Sequence, residues 1–111
     1  MTITNIETVE PLEVPQDLRE EILAFESIRT SRFFYRTKGL NILTASAPGS
    51  TPETRVTASV TEVDPVFRPM IGSARMSVHN IVPQGGDIAV LVNVESSQLV
   101  TVALTLVYVN P

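Results

Sequence analysis

The sequence predicts a mainly β fold, an antiparallel β-sandwich of six to seven strands with an extended N-terminal arm and one short helix. Three observations support this. Ala74, Met76 and Val78 alternate with Arg75, Ser77 and His79, while Ile88, Val90, Val92 and Val94 alternate with Ala89, Leu91, Asn93 and Glu95. Strict period two with β-branched enrichment marks half-buried strands. The run 99–109 is apolar on nearly both faces, as a strand covered on two sides would be. Turn-forming residues separate such runs at short intervals through the body of the chain, which is the spacing of a sandwich.

The elements follow in order. Residues 1–14 carry Ile3, Ile6, Val9, Leu12 and Val14 in loose alternation, broken by Pro11 and followed by Pro15. A proline-flanked extended segment makes an edge strand at best, so 1–14 is expected as an arm and 15–111 as the sandwich domain. Pro15 stands where a helix could begin, and Leu18, Ile22 and Phe25 keep helical spacing through PQDLREEILAF. Asp17, Glu20 and Glu21 would lie near the positive end of its dipole, so the short helix is placed here, with a strand through 22–28 as the competing assignment.

Residues 31–37 and 40–45 are expected as strands around a turn at Lys38-Gly39, and 46–54 (SAPGSTPET) as a loop. The alternating run 55–63 puts Val56, Ala58 and Val60 on one face. Residues 64–72 hold two prolines and a glycine, which predicts an irregular connection crossing between sheets. Strands over 74–81, 88–95 and 99–109 complete the body, joined by a glycine turn at 83–86 and a polar turn at 96–98. The expected core is Val56, Ala58, Val60, Met76, Val78, Ile88, Val90, Val92, Val102, Leu104 and Leu106.

Composition bounds the function. At 111 residues with 43% hydrophobic content, one domain can bury roughly 60–70% of its unfolded surface. With no cysteine there is no disulfide framework, thiol nucleophile or zinc–cysteine site. The N-terminal stretch lacks the basic and apolar regions of a signal peptide, and no run approaches the ~18 apolar residues of a membrane span. Synthesis in the cytoplasm without a membrane partner is therefore expected. A net charge of −4 argues against nucleic acid as a partner. That charge is unevenly spread: residues 1–26 hold seven acids and one base, whereas 27–46 hold Arg29, Arg32, Arg36 and Lys38 and no acid. An acidic solvated tail is the simpler interpretation; the sharper one docks the acidic arm on basic ground, its own or a neighbour's.

Residues able to carry chemistry are sparse. His79 is the single histidine and is expected on an outward strand face, so neither a catalytic triad nor a multi-histidine metal site can form, and no cofactor is expected. Glu62 and Asp64 are close in sequence but lead into a proline loop, where acids commonly satisfy turn backbone. A calcium site from Glu62, Asp64 and Asp87 would need more ligands than any one loop supplies. Phe33, Phe34 and Tyr35 are consecutive, so Phe34 faces opposite to its neighbours, between Arg32 and Arg36.

The stretch ARMSVHNIVPQGGDIAVLVNVESSQLVTVALTLVYV, preceded by RVTASVTEVD, resembles the later strands of H-type lectin domains. These are small sandwiches that trimerise and bind N-acetylgalactosamine-like sugars. The resemblance covers 55–109, rests on strand and turn rhythm, and implies a sandwich that forms trimers. The tryptophan and cysteines usual in those lectins are absent from this chain, and no sugar-binding residue is carried over.

The expected function is non-enzymatic and structural: a self-associating component of a virus particle, as capsid decoration, cement or tail accessory protein. A carbohydrate-binding module with surface glycans as partners is the alternative. A sandwich strand needs only one apolar face. The surplus of Ala103, Val107 and Val109 opposite Val102, Leu104, Leu106 and Tyr108 therefore predicts a second buried surface, with the Tyr108 hydroxyl kept wet at its boundary. The residues expected to contact another subunit or another protein of the assembly are Ile3, Ile6, Val9, Arg29, Arg32, Phe34, Arg36, Val107 and Val109.

Overall fold

The computed structural model describes residues 6–13, 23–25 and 28–111. Within them run β1 (Thr8–Val9), β2 (Leu23–Phe25), β3 (Ile28–Thr37), β4 (Gly39–Ser46), β5 (Arg55–Glu62), β6 (Arg75–Pro83), β7 (Asp87–Glu95) and β8 (Val100–Val109). They form two four-stranded sheets, ordered β1-β4-β7-β6 and β2-β3-β8-β5, which pack face to face as a sandwich. Every pairing between these strands is antiparallel except the short parallel pairing of β1 with β4.

No helix occurs among the described residues. Of the segment expected to be helical, 15–22 lies outside the described residues, and its end, Leu23–Phe25, is a strand paired with Ile28–Thr30. A helix of that length has few bonds of its own and needs packing to persist, whereas three residues beside β3 join an existing ladder.

Chain tracing between the sheets differs from a series of hairpins. The Lys38-Gly39 turn joins strands of opposite sheets, with Gly39 at φ 74°. The connections 47–54, 63–74 and 96–99 also cross, so among β3 to β8 the one pair of consecutive strands that share a ladder is β6 and β7, whose turn carries Gly86 at φ 86°. The crossing expected of 64–72 is thus present.

The expected inward residues do face inward. Ile88, Val90, Val92, Val102, Leu104 and Leu106 are fully buried, and Val56, Ala58, Val60, Met76 and Val78 pack half-buried against them. Phe33, Tyr35, Leu43, Ala45, Val94 and Tyr108 complete this core. Tyr108, expected at a wet boundary, is fully buried here, because even-numbered β8 residues all face the opposite sheet. The Tyr35 hydroxyl donates to the Thr44 carbonyl at 2.5 Å. Burial, and after it the Glu10 carboxylate, holds this phenol well above the ordinary tyrosine range.

One strand changes register. A bulge between Val78 and Asn80 lets Met76 and Val78 face inward before it and Ile81 after it. An extra residue in one strand flips every later side chain to the other face. Val82, which period two would bury, therefore stands outside and is 49% exposed.

Residues 7–12 lie along one side of their own sandwich. Glu7 accepts from the Ile42 amide, β1 pairs with Ile42–Leu43, and the Leu12 amide donates to the Phe34 carbonyl. The segment thus passes from beside β4 in one sheet to beside Phe34 of β3 in the other, with Val9 against the main core.

Candidate assembly surface

The outer face of the β1-β4-β7-β6 sheet carries an apolar patch. Ile42 of β4, Leu91 of β7 and Asn80 of β6 lie in one cross-strand row, and Thr44, Ala89 and Val82 in the next. With Ile6 at the margin, Ile42, Asn80, Val82, Ala89 and Leu91 line a shallow depression of ≈ 230 Å³. Asn80 is its one polar lining residue. Two features build it: β7 carries apolar residues at both parities, and the bulge turns Val82 outward.

The outer face of the other sheet is organised around Phe34. The Phe67 ring packs on it with centroids 4.9 Å apart and tilted by 59°, and the Arg32 guanidinium lies 5.5 Å from its centre on the same strand. Phe34, Val63 and Ala103 form a second small core, covered by Leu12 and Phe67. Ala103, one residue of the apolar surplus, and Phe34, expected at a subunit contact, are therefore buried by this chain's own 63–74 connection and N-terminal segment.

That connection is closed tightly at its base. Asp64 Oδ1 accepts the amides of Val66 and Arg68, and Oδ2 meets Arg68 Nε at 3.4 Å. The Arg68 amide chiefly, with the Val66 amide and the Arg68 guanidinium, holds the Asp64 carboxyl below its ordinary value, against a smaller opposing effect of burial. Asp64 thus serves turn backbone. Val66 within this closure and Met70 and Ile71 beyond it are exposed, Ile71 completely.

The residues expected at a subunit contact are dispersed. Ile3 lies outside the described residues. Ile6, which precedes β1, and Val107, on β8 of the other sheet, are each 40% exposed, and Arg36 is exposed. Val9, Arg29, Arg32 and Val109 are half-buried, Val9 against the chain's own core. Phe34 is buried under Phe67, so it is not available for contact. Among the described residues the one ion pair is Arg68–Asp64, and Glu7, Glu10 and Glu13 form none with the basic stretch. Sequence reasoning missed Val82 and Leu91. Leu91 was visible as the apolar member of an outward set, whereas Val82 depends on a bulge with no local signal.

The remaining polar residues do not converge. Ser77 Oγ and His79 Nε2 are 3.0 Å apart on an exposed strand face. Glu62 and Asp64 lie at the end carrying the 96–99 turn, whereas Asp87 opens β7 at the opposite end, so the three carboxylates cannot share a cation. Glu10 and Asp87 border a cleft of ≈ 350 Å³ beside Phe33 and Ser46, where Asp87 Oδ1 has no hydrogen-bond partner among the described residues. Comparison with protein-family models, curated proteins and solved structures finds no match to this chain.

Proposed function

We propose that this protein is a non-enzymatic structural subunit that works by associating with itself and with other proteins of a larger assembly. Its proposed place is a virus particle, in the role of a decoration, cement or tail accessory component. The observation that carries this is the apolar outer face of the β1-β4-β7-β6 sheet, where Ile6, Ile42, Val82, Ala89 and Leu91 surround a depression although the inner face already supplies the core. An apolar surface that the fold does not need is a surface for another molecule.

The sugar-binding alternative draws less support. Phe33, Phe34, Tyr35 and Tyr108 are all buried, so none of them offers a ring for stacking on a sugar. Sedimentation equilibrium tests the proposal: an oligomer at tens of micromolar that Val82→Asp or Leu91→Asp weakens is expected. A monomer that binds no other structural protein, or an oligomer indifferent to both substitutions, would overturn it.

A further inference from the structure

The four outermost strands of the two sheets are not equally defended. The β1 strand is two residues long and followed by Pro11, and β2 is three residues long. The β6 strand carries a bulge and ends on Pro83. Short strands, bulges and prolines are the devices that keep sheet edges from pairing. The β5 strand has none of them: it runs eight residues in unbroken register against β8, with charges only at Arg55 and Glu62.

Its unpaired backbone groups can be assigned. The Val63 amide donates to the Thr101 carbonyl on β8, whereas the Glu62 carbonyl, one residue earlier, faces away and accepts the Met70 amide. In an antiparallel ladder these directions alternate residue by residue. Odd-numbered residues of β5 therefore bond to β8, and Val56, Ala58 and Val60 aim their N–H and C=O groups outward from the sheet edge. Their side chains are half-buried on the inner face.

We propose that this edge joins a second copy of the same chain, β5 pairing antiparallel with β5 about a two-fold axis through Ala58. The inference rests on the self-association proposed above and adds a second contact to it, the β5 edge beside the apolar face that carries Val82 and Leu91. Only registers whose paired residue numbers sum to an even value keep apolar faces together and bring outward groups opposite outward groups. Centring on Ala58 sets Ala58 against itself and Val56 against Val60, each pair exchanging both backbone bonds, with Thr57 against Ser59 on the other face. Thr–Ser pairs are favourable across strands, and no like charges meet. Centring on Ser59 instead would call on the Glu62 carbonyl, which Met70 already occupies. A two-fold contact closes on itself, so it builds dimers or even-numbered assemblies from dimers, in contrast to the trimer that the strand rhythm implied.

The test uses the full chain, whose native sequence has no cysteine to interfere. In the proposed register Thr57 and Ser59 of different copies are directly opposite at a Cα separation of ~4.5 Å, within disulfide range. Each is offset from its own symmetry mate by two residues. Mixed Thr57→Cys and Ser59→Cys chains under mild oxidation are expected to form a covalent dimer that neither variant forms alone. Ala58→Pro removes an amide that β8 does not use, so the fold is expected to survive while the dimer is lost in sedimentation. A native oligomer that persists in Ala58→Pro, with no cross-link specific to the mixture, overturns the edge pairing and leaves self-association standing. A native monomer overturns both. If Ala58→Pro does not fold, the cysteine mixture alone decides.

Discussion

Phe67 reaches the ring of Phe34 from a left-handed backbone, φ 64°, the one positive φ outside glycine among the described residues. A bulky residue is rarely held in that region, and the conformation costs about 1–3 kcal/mol unless its surroundings enforce it. Here they do so from both sides. Asp64 ties the amides before and after Phe67, and the ring covers Phe34 and Ala103. Phe67→Ala is expected to destabilise by about 2 kcal/mol, less than a fully buried phenylalanine because part of the ring is exposed. Phe67→Gly would lose the same ring but relieve the backbone, so its denaturation midpoint should lie close to that of Phe67→Ala despite glycine's greater unfolded-state freedom. A midpoint unchanged from native in Phe67→Ala would show that the ring pair contributes nothing.

Strand register is open to direct test. Leu104 is fully buried between the sheets, whereas Thr101 and Ser77 face outward. Leu104→Ala is expected to lower stability by ~2–5 kcal/mol in chemical denaturation. Thr101→Ala and Ser77→Ala should each stay within about 0.5 kcal/mol of native. Comparable losses at Leu104 and Thr101 would place β8 one residue out of register, and an equal loss at Ser77 would do the same for β6.

Acid should loosen the 63–74 connection first. The folded Asp64 carboxyl sits below its ordinary value, so its contribution is present above the unfolded carboxylate pKa of about 3.9 and is lost as pH falls through the lower folded value. Amide exchange at Val66 and Arg68 should rise in that acid window. Asp64→Asn should exchange faster at neutral pH as well and lose most of the acid dependence. An acid dependence equal in both proteins would assign the effect to another carboxylate.

Alkali should act through Tyr35. Its folded phenol is held above the ordinary range, so the associated stability is complete below the unfolded tyrosine pKa of about 10 and declines as pH rises beyond it. The denaturation midpoint should therefore fall above that pH in native protein and fall less steeply in Tyr35→Phe. Parallel declines in the two proteins would exclude Tyr35 as the source.

Removing residues 2–12 should weaken the chain's own fold. That deletion strips the β1 pairing, the bond from Leu12 to Phe34 and the cover that Val9 and Leu12 give to the two cores. After the ordering entropy of the segment is deducted, a loss of about 1–2 kcal/mol is expected, with a β-type circular dichroism spectrum retained. A midpoint unmoved by the deletion would show that the segment contributes only to contacts outside its own domain.

Strand positions, their inward residues and the crossing nature of 64–72 were legible in the sequence, because alternation of side chains is a local property of an extended backbone. Val90 and Leu104 could be placed inside without knowing any partner strand. The sequence alone did not determine which strands pair. Neighbours such as β3 and β4 go to opposite sheets, and Leu104 meets Phe33 and Val60 from strands far away in the chain. Such choices depend on long-range packing that no window of residues contains. The same holds for the candidate surfaces. A bulge decided that Val82 faces out, a strained loop decided that Phe34 is covered, and the order of the sheets decided that β5 is an edge. Each is settled by the competition of the whole core for burial, which only the assembled tertiary structure resolves.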